Sequence, residues 1–178
     1  MIKTAAFARA GLLGNPSDGY YGKTISVSVK NMKAEARINE ADEVTIDTGT
    51  LDPSSYPGLK SMVEEIEHTG YYGARRLIMA AVKVFASFCA AEGRDLSGKP
   101  FSLSCRSDIP RQVGMGGSSA IITAVLRALA LFYEQDIARP VLAKLALSAE
   151  KDELGITAGL QDRVIQAYEG CMYMDFSR

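Results

Sequence analysis

Residues 110–120 read PRQVGMGGSSA and run directly into IITAVLRALALFY at 121–133. Three glycines, Gly114, Gly116 and Gly117, and two serines, Ser118 and Ser119, stand between a strand pattern, FSLSCRSDI at 101–109, and an apolar stretch with helical spacing. A strand, a glycine loop and a helix in that order suit a backbone that closes around an anion. Glycine lets N–H groups approach a ligand with no Cβ in the way, and the positive end of the helix favours negative charge. The same residues also suit a tight turn into a helix capped by Ser118 or Ser119.

Outward from this loop the chain alternates strand and helix signals. Towards the N-terminus, KTAAFARAGLLG predicts a first strand. KTISVSVK predicts a second, with Ile25, Val27 and Val29 on its buried side, and KAEARI and EVTIDT predict two more. Residues 48–61, TGTLDPSSYPGLKS, read as loop. A helix follows over 73–93, with Leu77, Ala81, Val84 and Phe88 on one face. After the glycine loop, Ile121, Ile122, Val125, Leu126 and Leu129 mark a helix with a broad buried face. Pro140 opens another that Gly155 stops, LQDRVIQAYE predicts a shorter one with Leu160, Val164 and Tyr168 inward, and CMYMDF predicts a last strand. The fold class is α+β, a mixed α/β arrangement with helices layered on a mixed sheet.

Composition narrows the function. The chain has 178 residues, 47% of them hydrophobic, enough for one substantial core and one domain over 1–178. Twenty basic residues against twenty-one acidic give no overall field for nucleic acid or an anionic membrane, so neither is an expected partner. The longest apolar stretches are too short to span a bilayer, and MIKTAAFARAGLLG lacks a signal-peptide layout, so a cytoplasmic protein is expected. Cys89, Cys105 and Cys171 form no C-x-x-C pair and read as buried structural thiols. The single histidine, His68, reads as a surface residue and leaves no multi-histidine metal site.

The glycine loop lacks the lysine of a Walker motif and the third glycine of a dinucleotide fingerprint. It does resemble the second signature motif of the GHMP kinases, which include galactokinase, homoserine kinase and mevalonate kinase. Two further stretches resemble the same family: ARAGLLGNPSDGYYGKTIS near the N-terminus and AEKDELGITAGLQDRV, in which Glu150 precedes Asp162 by twelve positions. The resemblance implies a ribosomal-protein-like N-terminal kinase domain and phosphoryl transfer from ATP, with Mg²⁺, to a sugar hydroxyl, with glucuronate the expected acceptor. It also implies a C-terminal domain with a third glycine-rich motif, which is not found in these 178 residues and would come from a missing domain or a second subunit.

By motif position, the resemblance gives Asp162 the role of catalytic base and Arg9 that of catalytic cation, and places Asp18 on substrate hydroxyls. Gly114, Gly116, Gly117, Ser118 and Ser119 would cradle the ATP phosphates, and Ser118 with Glu150 would supply hard oxygens for Mg²⁺. Arg9 is expected to keep the Asp162 carboxylate ionised. A uronate carboxylate needs a cation, for which Lys23, Arg111 and Arg163 are the candidates. The residues also admit plainer readings. Glu150 in AEKDE suits a solvated helix face, Asp162 a helix start, and Asp18 an ordinary turn. A noncatalytic binding module, or a kinase for mevalonate, a heptose phosphate or a neutral sugar, are the alternative functions.

Overall fold

The computed structural model describes residues 1–48, 54–73 and 75–177. Strand β1 (Ile2–Leu13) leads through a short 3₁₀ turn (Ser17–Tyr20) into β2 (Lys23–Glu40), and β3 (Val44–Asp47) and β4 (Ser54–Tyr56) follow. Helices α1 (Leu59–Thr69) and α2 (Arg76–Ala91) precede β5 (Phe101–Ser107), and α3 (Gly117–Phe132) starts within the glycine loop. Helix α4 (Arg139–Ser148) runs into a π-helical turn (Ala149–Glu153), and α5 (Gln161–Tyr168) and β6 (Cys171–Asp175) complete the order.

The sheet is organised around β2, which is one strand of 18 residues where the sequence predicts two. The polar run around Asn31 reads as a break, and in the ladder with β1 residues 30–32 are skipped, Phe7 pairing with Lys33 and Ala8 with Val29, yet the strand continues on both sides. The other edge of β2 is shared: β6 pairs with residues 23–27 and β5 with residues 34–40. Strand β3 runs parallel to β5, and β4 antiparallel to β3, so the sheet is mixed. Helix α3 crosses β1 and β2. Its buried Ala120, Ala124 and Ala128 face a sheet surface of small residues, Ala6, Ala8, Ala34 and Ala36. Small residues on both sides allow close approach, and Thr4 Oγ1 donates to Ala124 O across the contact at 2.6 Å.

The stretch read as loop at 48–61 is partly ordered. Residues 54–56 form β4, and after Pro57 and Gly58 helix α1 begins at Leu59 and buries Met62 and Ile66. Residues 49–53 lie outside the described residues. His68 is exposed near the end of α1, as expected. Of the three cysteines only Cys89 is buried. Cys171 is exposed, and burial pushes the Cys105 thiol up to about 12, which keeps it out of thiolate chemistry.

Two predicted buried faces are inverted. On β2 the fully buried residues near its start are Thr24 and Ser26, whereas Ile25, Val27 and Val29 are only partly buried. On α5 the buried residues include Gln161, Arg163 and Gln166, while Leu160, Val164 and Tyr168 are partly exposed. The two polar faces meet, and Gln161 Nε2 donates to Ser26 Oγ at 2.5 Å. No helix among the described residues is long and apolar enough to cross a membrane.

Candidate active site

Where α5 packs on β1 and β2, a cavity of about 1090 Å³ opens, lined by residues from β1, the 3₁₀ turn, the glycine loop, the π-helical turn and the start of α5. Arg9, Asp18, Gly114, Gly116, Gly117, Ser118, Glu150 and Asp162 all line it, and Ser119 is fully buried.

The glycine loop is held from below. Met115 O accepts from Arg9 N at 3.1 Å, tying the loop to β1. Gly116 O accepts from Ala120 N at 3.0 Å, from Ser119 Oγ at 3.0 Å and from Gln166 Nε2 at 2.8 Å. Neither serine caps the helix. Ser119 donates to Gly116 O, Ser118 Oγ donates to Glu150 Oε1 at 2.6 Å, and the cap position is Gly116 with no side-chain bond. The first N–H groups of α3 therefore face the cavity end of the helix without a capping side chain, the arrangement that binds phosphate oxygens.

The glycines differ in what they do. Gly116 has φ +69°, and a Cβ there would lie 2.9 Å from Gln166 Nε2, 3.2 Å from Arg9 Cγ and 3.3 Å from Asp162 Oδ2. Its lack of a side chain therefore makes room for the Arg9–Asp162 pair as well as for a ligand. A Cβ on Gly117 would make only ordinary contact with Ile109, at 3.5 Å.

Arg9 Nε donates to Asp162 Oδ1 at 2.5 Å, bringing together two residues 153 positions apart. The expected effect on ionisation needs correction: burial raises the Asp162 carboxyl above its ordinary value, outweighing the lowering by Arg9, and Asp18 adds to the rise. A carboxylate raised in this way is a better proton acceptor near neutral pH than an unshifted one. Asp18 Oδ2 accepts from Gln161 N at 3.0 Å and so also caps α5. Gly159 permits this, since a Cβ there would fall 2.0 Å from Asp18 Oδ2.

Glu150 is fully buried, unlike its neighbours Lys151 and Asp152 in the same charge run. The π-helical turn rotates it inward. Glu153 on that turn is anchored by Lys83 Nζ at 3.0 Å and Tyr71 Oη at 2.6 Å. Glu150 accepts from Ser118 on one oxygen and from Arg163 Nη2 on the other.

The residues fit a magnesium–nucleotide complex. Among the described residues no cluster of three or more histidine, cysteine, aspartate or glutamate side chains could hold a metal alone. One carboxylate beside one hydroxyl at the phosphate end is instead the partial oxygen set that Mg²⁺ completes with phosphate oxygens and water. Three arginines lining the cavity, Arg76, Arg106 and Arg111, have no side-chain partner among the described residues and are free to meet anionic groups.

Residues 76–170 match the family model for the GHMP kinases N terminal domain. This chain belongs to the GHMP kinases. It is 47% identical over 177 residues to a probable glucuronokinase, and 43% identical over 180 residues to glucuronokinase 1, both of Arabidopsis thaliana. Those matches cover 97% and 99% of the chain but 48% and 49% of the relatives, so the chain spans about half the length of the curated relatives it matches. The fold superposes on the mevalonate kinase of Methanococcus jannaschii with a TM-score of 0.82 at 19% identity, covering 99% of this chain and 54% of that one, which supports the fold alone.

Sequence reasoning missed several residues that support this candidate site. Gln166 holds the glycine loop, Gln161 bonds across to β2, and Gly159 clears space for Asp18. The one signal for the glutamines was their place on α5 near Asp162, and amphipathicity turned that face outward. Lys23 pairs with Asp175 at 3.2 Å and does not line the cavity, while Arg163 is committed to Glu150.

Proposed function

We propose that this chain is the half of a GHMP kinase that carries the phosphate loop and the catalytic pair, and that the complete enzyme transfers the γ-phosphate of MgATP to the anomeric hydroxyl of glucuronate. The observation that carries the reading is the convergence on one cavity of the uncapped start of α3, the Ser118–Glu150 oxygens and the Arg9–Asp162 pair. The backbone N–H groups of Gly117 and Ser118, which line the cavity, hold phosphate oxygens. Mg²⁺, when bound beside Ser118 and Glu150, neutralises charge between phosphates. Asp162 Oδ2, the oxygen that does not accept from Arg9, takes the proton of the acceptor hydroxyl as the hydroxyl oxygen bonds to phosphorus and the bond to the bridging oxygen of ADP breaks. Arg9 stabilises the charge that develops there.

The names of the two Arabidopsis relatives support glucuronate as acceptor. Asp18 accepts hydrogen bonds from ring hydroxyls. Among the cations named for the uronate carboxylate, Arg111 is the one that both lines the cavity and lacks a partner among the described residues. The test is a coupled MgATP assay of an enzyme containing this chain across glucuronate, galacturonate, galactose, fucose and mevalonate. Glucuronate is the expected preferred substrate. Selective turnover of mevalonate or of the neutral sugars would overturn the acceptor, and no turnover of any with nucleotide still bound would favour a noncatalytic module.

A further inference from the structure

Arg163 follows the catalytic candidate Asp162 directly, yet its side chain turns to Glu150. It is 5% exposed, Nη1 donates to Gly159 O at 2.8 Å and lies 3.7 Å from Asp162 Oδ2, and Nε has no acceptor among the described residues. Glu150 shows no exposed surface, and a buried carboxylate must be compensated. Ser118 donates one hydrogen bond to Oε1, and Arg163 Nη2 donates to Oε2.

This has a consequence for any cation. Of the other carboxylates nearby, Asp162 pairs with Arg9 and lies 3.7 Å from Arg163, while Asp18 accepts from the first N–H of α5 and keeps its charge. The oxygens of Glu150 and Ser118 carry no net charge before a metal arrives, because the guanidinium cancels the carboxylate at contact distance. A divalent cation entering alone would meet one neutralised carboxylate, one hydroxyl and the repulsion of Arg163. With nucleotide phosphates in the cavity, the negative charge needed to hold it arrives from the ligand.

We propose that Arg163 is a built-in counter-ion that prevents Glu150 and Ser118 from taking up a divalent cation on their own, so that metal enters only together with the phosphates of the nucleotide. The inference rests on reading Ser118 and Glu150 as the metal-binding pair.

The test uses Mn²⁺ as probe, without nucleotide, followed by calorimetry and by thermal unfolding. The wild-type protein should show no saturable Mn²⁺ binding below millimolar concentrations and no rise in Tm. Arg163→Met, which leaves Glu150 uncompensated, should bind Mn²⁺ at least about tenfold more tightly and gain Tm on adding it. Arg163→Lys, which keeps the charge, should behave as wild type, and adding Glu150→Gln to Arg163→Met should abolish the gain. Arg163→Gln, which keeps a donor to Glu150, gives the same readout if the Met variant does not fold. Tight Mn²⁺ binding by wild type would overturn the proposal. So would Arg163→Met and Arg163→Gln binding Mn²⁺ as weakly as wild type while Glu150→Gln removes the metal dependence of nucleotide affinity, and in that case the metal pair survives. If Glu150→Gln leaves that metal dependence unchanged, the metal pair itself is wrong and the inference falls with it.

Discussion

At its C-terminal end helix α3 runs into Phe132 and Tyr133, whose rings meet edge to face at 5.0 Å beside Phe85 and Phe101. At its N-terminal end the same helix meets Arg9, Glu150 and Gln166, all buried. The aromatic end is packed from groups that gain by leaving water. The polar end holds charges and amides that burial penalises, and Gln161 Oε1, Gln166 Oε1 and Arg163 Nε have no partner among the described residues. One helix thus separates an apolar region that gains by leaving water from a region where polar groups are buried against that preference. Arg127, midway along it, ties the two to the sheet and to α5 by donating to Ala5 O at 2.6 Å and Gln166 O at 2.9 Å.

The sharpest division should appear in Asp162→Asn, which keeps shape but removes the proton acceptor. Turnover should fall by about two to four orders of magnitude with nucleotide affinity kept. Glu150→Gln should instead raise the Mg²⁺ concentration needed for half-maximal rate, and identical behaviour of the two variants would erase the separate roles given to them.

The opposite end should answer only in stability. Phe101 is fully buried, and Phe101→Ala should cost about 3–5 kcal/mol in denaturant unfolding while the folded fraction binds nucleotide as before. A large loss of affinity there would mean that the two ends are coupled more tightly than the packing suggests.

Within the polar end the glycines should part company. Gly116→Ala meets both a left-handed backbone and the Arg9–Asp162 pair, so it should cost about 1–2 kcal/mol from the backbone alone and depress activity as well. Gly117→Ala has neither obstacle and should stay within about 0.5 kcal/mol of wild type, with nucleotide affinity little changed. Equal damage from both in unfolding and calorimetry would contradict the roles read from their surroundings.

The smallest effect is a pH slope. Because burial raises Asp162, the folded state keeps its proton to higher pH than the unfolded chain. The stability from this group is present in acid and is lost as pH rises from the ordinary carboxylate range through the raised value. Over the same interval the rate should rise, since the base must be ionised. Asp162→Asn should flatten that fall in stability, as measured by unfolding at a series of pH values, and an unchanged slope would remove Asp162 as its source.

Two pieces of this candidate site could be read from the linear chain because each is local, whereas Arg9 and Asp162, 153 positions apart, are linked there only through the motifs' resemblance to the family. The order of strand, glycines and helix at 101–133 places the glycine loop without reference to anything distant, and the spacing from Glu150 to Asp162 runs from the π-helical turn to the start of α5. The periodic apolar residues of α2 and α3 give those helices correctly, since both pack apolar faces into one core. The reading failed where burial and polarity coincide. Apolar alternation predicts Ile25, Val27 and Val29 as the inward face of β2 and Leu160, Val164 and Tyr168 as that of α5, yet Ser26, Gln161, Arg163 and Gln166 are among the residues that turn in.

The sequence by itself determined the α+β class, the family's motifs and the position of the loop, because backbone preference and apolar periodicity act over a few residues. Tertiary structure alone decided that Ser118 and Ser119 bond to Glu150 and Gly116 rather than cap the helix, and that Arg163 belongs to Glu150. It also decided that the polar faces of β2 and α5 lie inside. A polar side chain can be buried only when a partner reaches it, and the partners here, such as Ser26 and Gln161, stand 135 residues apart. No window of sequence contains both, so only the folded chain shows which polar residues face inward.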